Sequence, residues 1–558
     1  MLGKVKKVTS LVITVSSMFF MLWAQPNAEG LPTSGHKMLI ATNSKLATDI
    51  GEAIYARGGN VVDATIATAI ALAVVAPYYG SFGGGGFAVV KMNGEIQVLD
   101  FREKAPKKSY PDMYEKNPKI SSLTGGAASG VPGIVAGYFA LHKKYGKLKW
   151  SELFTPTINL AKKGFNLSGE FVSSTDRAQK VFNPRAKKIF LANSEKPHLP
   201  GTHFTYNEQA ELLKLVQKDW RNFYRGAVAK DIVSSLKVVG SVMEVSDLED
   251  YAVRWLAPIK TSAFGYTFNL MPPPSSGGIV LAQALQVLDK IDAKKYLPLS
   301  SEELHHIAEV QKGAYRYRSL LGDPAFTKSN LLSLAEPKVA EQIAKEISSR
   351  SKTKLSPIEE SKFWSKLEST ETTHISALDK DGNAVAMTLT LNSNFGSGVS
   401  TDKFGIPMNN QMDDFTTSSA PNMFGLVQGK ANKVEPGKTP LSSMSPTIVE
   451  KDGKTVLVVG GLGGPRIISG VLQTIYRRLV NKWDIDQSVQ APRVHHQFLP
   501  DELFVDDKKF SEDTLSALQK KGHKTTPNWM ARIFAISLED GILTGAGDSR
   551  GEMGVSGR

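Results

Sequence analysis

Four Asn-Gly or Asp-Gly pairs, each set between runs rich in β-branched residues, constrain the fold of this 558-residue chain more than any other feature. Phe87–Met92 and Glu95–Phe101 flank Asn93-Gly94, and Thr373–Leu378 and Ala384–Leu391 flank Asp381-Gly382. Thr447–Glu450 and Thr455–Gly460 flank Asp452-Gly453, and Ile533–Leu538 and Ile542–Thr544 flank Asp540-Gly541. Such dipeptides tolerate the positive φ of tight turns, so the pattern predicts four hairpins and antiparallel sheet. Ala384–Thr388 and Val456–Val459 are apolar in unbroken runs, which implies sheets covered on both faces. Helices are predicted at Ser44–Arg57, Val61–Val75, Val131–Tyr145, Trp150–Lys163, Gly278–Ile291, Ser301–Leu321 and Ile467–Lys482. The economical assembly is of the α+β class: an αββα sandwich, two antiparallel sheets between helical layers. A doubly wound parallel sheet is the alternative. No repeat of 20–50 residues is present, which excludes solenoids and propellers. Leu332–Thr370, rich in Lys, Glu and Ser, reads as an exposed segment and the internal boundary.

The chain contains no cysteine, which removes disulfides, thiolate metal sites and thiol nucleophiles together. Covalent chemistry therefore falls to oxygen or nitrogen. Lys4, Lys6 and Lys7 precede an apolar run from Leu11 to Ala24, followed by Gln25-Pro26-Asn27-Ala28. This is the pattern of a secretory signal peptide, with cleavage expected after Ala24 or, second, after Ala28. The run is short of the roughly 20 residues that span a bilayer, and no stable membrane span is expected after cleavage. Lys and Arg number 67 against 54 Asp and Glu, an excess spread along the chain; it implies surface character and no nucleic-acid partner. The expected location is periplasmic or secreted, in a bacterium.

Several motifs have bland readings. Gly83–Gly86 lacks the Lys-Ser/Thr of a phosphate loop and precedes a strand, so it reads as a close-packing loop. Pro272–Gly278 reads as a helix start capped by its serines. No His-Glu-x-x-His spacing occurs, and the pairs His305-His306 and His495-His496 point to different sides of their elements. No metal and no cofactor are expected. Glu371-Thr372-Thr373-His374 is different, because a polar stretch runs straight into a strand whose partner carries Thr388, Thr390 and Asn392. A threonine hydroxyl is a poor nucleophile until it heads a chain, where its own α-amine, pKa about 7.7–8.0, serves as base. By composition alone, an ordinary strand start remains the alternative.

Taken in order, these stretches resemble the gamma-glutamyltransferase (gamma-glutamyltranspeptidase) family along nearly the whole chain. The resemblance is carried by Gly58-Gly59-Asn60, Gly83–Phe87, Asp100–Pro106, Val131-Pro132-Gly133, Pro272–Gly278 and Thr372-Thr373-His374. It continues through Asp379–Val385, Asn409–Phe415, Pro440–Pro446 and Gly463-Gly464 with Arg466.

The resemblance implies an N-terminal-nucleophile hydrolase, made as a precursor that cuts itself between Glu371 and Thr372. A large subunit, 25–371, and a small one, 372–558, would then stay associated as a heterodimer once the signal, 1–24, is gone. Thr372 would form a γ-glutamyl ester from glutathione or another γ-glutamyl compound and pass it to water or to the amine of an amino acid or peptide. By the same resemblance Arg102, Ser442 and Ser443 would bind the α-carboxylate, and Asp414, Gln411 and Asn392 the α-ammonium. Gly463 and Gly464 would form the oxyanion hole, and Thr390 would hydrogen-bond the nucleophile. Two features depart from the pattern. Tyr315-Arg316-Tyr317-Arg318 is bulkier and more basic than family members there, which puts local packing in question. The segment between Phe415 and Pro440 resembles a lid loop with Phe424 where tyrosine is common, so a looser lid is expected. The rival readings are a related acylase acting on a β-lactam precursor and an inactive amino-acid-binding paralogue.

Overall fold

A computed structural model describes residues 36–358, 371–417 and 429–558. Seven of its strands are Met38–Thr42 (β1), Gly85–Met92 (β2), Glu95–Asp100 (β3), Arg254–Leu256 (β4), Ile259–Ala263 (β5), Tyr266–Leu270 (β6) and Glu371–Asp379 (β7). Six more are Ala384–Asn392 (β8), Thr447–Lys451 (β9), Lys454–Leu462 (β10), Arg532–Glu539 (β11), Ile542–Gly547 (β12) and Gly554–Gly557 (β13). One seven-stranded sheet runs β13-β1-β7-β8-β2-β3-β4 and one six-stranded sheet runs β12-β11-β10-β9-β6-β5. Every pairing in both is antiparallel. Helices Lys45–Ala56 (α1) and Val61–Val75 (α2) cover the first sheet; Gly277–Lys290 (α3), Ser301–Tyr315 (α4), Pro337–Glu346 (α5) and Arg466–Ile475 (α6) cover the second. This is the αββα sandwich, and the parallel alternative falls away.

The unbroken apolar runs follow from this layering. Met38 and Ile40 pack toward α1 and α2, whereas Leu39 and Ala41 pack between the sheets. Ala88 and Val90 alternate with Phe87 and Val89 in the same way, as do Val385 and Met387 with Ala384 and Ala386. A strand buried on both faces has no polar side to show. Helix α2 is buried along its whole length, and a Cβ on Gly51 of α1 would lie 2.1 Å from Thr68 Oγ1, so the helices touch closely. Asn60 starts α2 by accepting from the Val62 and Asp63 amides, while Asp63 accepts from the Asn60 amide.

All four hairpins form. At three of them both turn residues have positive φ: Asn93 and Gly94 (52° and 83°), Asp452 and Gly453 (51° and 76°), Asp540 and Gly541 (49° and 77°). The fourth is longer. Asp379 Oδ1 there accepts from the Asp381 and Asn383 amides, and only Gly382 is left-handed.

Three expectations need correction. The Ser301–Leu321 helix ends at Tyr315 and gives way to a 3-10 turn, and the helix expected to reach Lys482 ends at Ile475 in a π turn. Leu332–Thr370 is not uniformly exposed: α5 lies within it and buries Ala340 and Ile343 against the core. Residues 359–370 lie outside the described residues, as do the expected signal and Phe424. No helix among the described residues is long and apolar enough to cross a membrane.

Candidate active site

Strands β7 and β8 form the hairpin at the centre of the first sheet. Glu371 pairs with Asn392 and Thr373 with Leu389, so two residues, Thr390 and Leu391, oppose the single Thr372. That β-bulge breaks the ladder at Thr372 alone, and bulges re-aim the side chains they carry. The residues that follow are fixed: Thr373 Oγ1 donates to Asn43 Oδ1 at 2.7 Å, and His374 sits 2.8 Å from Thr388 Oγ1 and 3.0 Å from Ser376 Oγ. Burial holds the His374 ring neutral, its pKa down at about 3. A Cβ on Gly460 of β10 would lie 2.2 Å from this imidazole, so the two sheets lock together directly behind Thr372.

Thr372 lines a small cavity of about 30 Å³. Thr390 and Asn392 from β8 share its wall, as do Arg102, Gln411 and Asp414. Ser442, Ser443 and Gly464 complete the predicted set there. Gly463 does not line the cavity; it stands one residue away with φ 129°. The expected residues, from six separate stretches of chain, therefore meet at the start of β7.

The glycine run makes this convergence possible. A Cβ on Gly85 would lie 2.6 Å from Glu103 Oε2, and one on Gly83 2.2 Å from the Pro407 carbonyl, so Gly83–Gly86 is a close-packing loop. Asn409 ties that loop to the Gln411–Asp414 turn: its Nδ2 donates to Gly83 O at 2.7 Å and its Oδ1 accepts from the Gln411 amide at 3.1 Å. Arg102, just beyond β3, donates through Nη2 to Asp414 Oδ2 and stands beside Glu103. All three are buried. Burial pushes Asp414 up to about 6 against the pull of Arg102, and Glu103 up to about 7.

Behind Ser442 and Met444, Pro272–Gly278 serves both as a helix start and as a clamp. Ser276 Oγ donates to Ser442 O and Ser275 Oγ to Met444 O, both at 2.7 Å; the cap expected of the serines comes from Ser275, whose Oγ accepts from the Gly277 amide at 3.0 Å, and not from Ser276. Gly464, φ 55°, follows Gly463 into α6. Two buried atoms of Gln411, Nε2 and Oε1, and the Ser443 hydroxyl have no hydrogen-bond partner among the described residues. Orphaned polar atoms at the wall of a cavity are what a polar ligand satisfies.

One lining residue escaped the sequence reading. Arg318 is buried in the same wall, its Nε donating to Ser276 Oγ at 3.3 Å. The packing question at Tyr315–Arg318 is answered by the fold: the Tyr315 hydroxyl bonds Pro465 O, and Arg316 turns away to Glu346 at 2.7 Å. Away from the cavity, the ligand-type atoms of His305, Glu309 and His523 lie within 4.8 Å of one another. His305 Nδ1 and His523 Nε2 are hydrogen-bonded at 2.8 Å, and His305 Nε2 bonds Ser348 O at 2.7 Å. His306 turns to Tyr296 and to the Glu302 carbonyl, so the adjacent pair does diverge.

The sequence model of a family described as Gamma-glutamyltranspeptidase matches residues 47–557. The chain belongs to that family. It is similar to the glutathione hydrolase proenzyme of Escherichia coli K12, 40% identical over 531 residues that cover 93% of this chain and 91% of that one. The glutathione hydrolase proenzyme of Pseudomonas sp. strain A14 is 39% identical over 508 residues, covering 89% and 88%. Among solved structures, the gamma-glutamyltranspeptidase of Helicobacter pylori is 35% identical with TM-score 0.54, covering 57% of this chain and 93% of that chain. A cephalosporin acylase from Bacillus halodurans superposes with TM-score 0.83 over 97% of this chain and 99% of its own, at 23% identity, a likeness of fold. The gamma-glutamyltranspeptidase family thus accounts for the order of the matched motifs along the chain, and the folded hairpins account for their meeting in space.

Proposed function

We propose that this chain is an exported, self-processing gamma-glutamyltransferase and glutathione hydrolase, with Thr372 as its nucleophile. The observation that carries the reading is the placement of Thr372 at a bulge, in one cavity with a guanidinium, a carboxylate and two serines. These are the groups needed to hold an amino-acid head. In the precursor, Thr372 Oγ attacks the Glu371 carbonyl carbon, the Glu371–Thr372 C–N bond breaks, and water hydrolyses the resulting ester. The products are the 371 carboxylate and a free Thr372 amine.

That amine then takes the proton from Thr372 Oγ as the oxygen attacks the γ-carbonyl of glutathione. The amides of Gly463 and Gly464 stabilise the tetrahedral oxyanion, the γ C–N bond breaks, and the leaving amine accepts the proton. Water or an acceptor amine opens the γ-glutamyl ester by the same steps in reverse. Thr390 Oγ1 accepts from the Asn392 amide at 2.8 Å, which fixes the side chain that hydrogen-bonds the nucleophile in this reading. The substrate α-carboxylate displaces Asp414 from Arg102 and gains the Ser442 and Ser443 hydroxyls. Asp414, with the Gln411 and Asn392 side-chain oxygens, receives the α-ammonium.

This zwitterion clamp favours a γ-glutamyl donor over the acyl side chain of a β-lactam precursor, which has no such head to fill it. Export follows from the basic-then-apolar pattern of the first 24 residues, and a periplasmic or secreted location is its consequence. The test is the intact mass and N-terminal sequence of the purified protein beside Thr372→Ala, with turnover of a γ-glutamyl anilide. Two chains, the smaller beginning at Thr372, and one uncut chain for the variant are expected. A wild-type protein that stays in one piece and turns over the anilide sinks the reading.

A further inference from the structure

Arg318 is a buried cation without a buried counterion of its own. It is 3% exposed, its Nη1 has no hydrogen-bond partner, and no carboxylate among the described residues lies within ion-pair distance of it. Burial of this kind is costly, and burial accordingly pushes its pKa down to about 10. A core arginine elsewhere shows the usual remedy: Arg477 is forked onto Glu303 at 2.6 and 2.7 Å, both side chains buried. Arg318 has no such fork, and it opens onto the cavity that holds Thr372.

Its position is fixed from behind. Nε donates to Ser276 Oγ, and that hydroxyl donates to Ser442 O, so the guanidinium plane is registered to the Ser442-Ser443 pair. The residues that carry the orphaned Ser443 hydroxyl and the orphaned Nη1 line one cavity. Charge accounting agrees. Two guanidiniums, Arg102 and Arg318, line the cavity with Asp414, and Glu103 lies behind Arg102. With Asp414 committed to the α-ammonium, the two guanidiniums are left to face the α-carboxylate.

We propose that Arg318 is a second guanidinium contact for the α-carboxylate of the γ-glutamyl donor, and that it sets the preference for donors bearing that charge. The proposal rests on the function given above. Arg102 and the two serines take one edge of the carboxylate, and Arg318 Nη1 takes the other.

The test compares γ-glutamyl anilide with its α-carboxamide analogue, in wild type, R318Q and R318K. A charge-assisted hydrogen bond implies a KM for the anilide raised about 10- to 100-fold in R318Q, with kcat changed by no more than about threefold. The ratio of kcat/KM for the carboxylate donor over the carboxamide donor should fall about tenfold, and R318K should recover part of it. Cutting before Thr372 should proceed in both variants. An unchanged ratio overturns the proposal, as does an equal loss on both donors with a lowered melting point and no recovery by lysine. If R318Q does not accumulate as folded protein, R318K decides alone: a ratio below wild type supports the contact, and a wild-type ratio removes it. Failure of the parent reading looks different, because the wild type itself would then neither cut nor turn over the anilide.

Discussion

Strand β10 begins at the turn Asp452-Gly453 and ends at Gly463-Gly464, and its two glycine-bearing ends, about 25–30 Å apart, answer opposite demands. Gly94, Gly382, Gly453 and Gly541 gather at one end of the sandwich around an open cleft of about 790 Å³ among lysines. A Cβ on Gly453 would meet nothing within 4 Å. At the other end a Cβ on Gly463 would lie 2.9 Å from the Trp529 ring and 3.0 Å from Ala531 Cα. The first end uses glycine for backbone conformation alone. The second uses it for conformation and for close packing against Trp529 and Ala531, next to a cavity where polar atoms are left without partners. The proposed chemistry belongs to the end that the core has partly enclosed.

The sharpest way to break this comparison is Thr372→Ala, which should lower γ-glutamyl anilide turnover by about 10⁴-fold or more, read by steady-state kinetics. Gly463→Ala should follow, with kcat down about 10²–10³-fold from displacement of the proposed oxyanion donor. Arg102→Ala comes next. It leaves Asp414 and Glu103 buried without their cation, so denaturant unfolding should show a loss of about 3–5 kcal/mol and the anilide KM should rise.

The pH profile gives a smaller, graded effect. In the proposed clamp Asp414 must be ionised to accept from the substrate ammonium, and burial raises its pKa to about 6 while Arg102 and Arg318 oppose the rise and Asp413 adds to it. Protonation then removes the acceptor as pH falls, so kcat/KM should drop about tenfold per unit below about pH 6. A limb centred near 4 would show that Asp414 is not the group. Gly453→Ala is the smallest. It forces an L side chain into φ 76°, so stability should fall by about 1–2 kcal/mol by thermal melt, with anilide kinetics unchanged.

The contrast also explains what could be read from the sequence. The turn end was fully legible, because Asn-Gly and Asp-Gly act through local backbone conformation and need no tertiary context. The helices were legible where a cap or a continuous apolar run marks them, as at Asn60 and Val61–Val75. Their ends were less so: the 3-10 and π turns after Tyr315 and Ile475 are imposed by packing. The end that holds the Thr372 cavity was legible only through joint resemblance, since Arg102, Ser442 and Gly463 each have an ordinary local meaning. Arg318 was missed for the same reason. In sequence it is one basic residue in Tyr315–Arg318, and only the fold turns it inward while turning Arg316 out. The orphaned state of its Nη1 is the signal, and it exists only in three dimensions.

The strand order has a last consequence for the cut molecule. Severed before Thr372, the first sheet would alternate between fragments, with β13 from the second, β1 from the first, β7 and β8 from the second, and β2 to β4 from the first again. The other sheet would join them once more, β9 against β6. Two polypeptides braided through shared ladders have no dissociated state short of global unfolding, so dilution should neither separate them nor weaken activity.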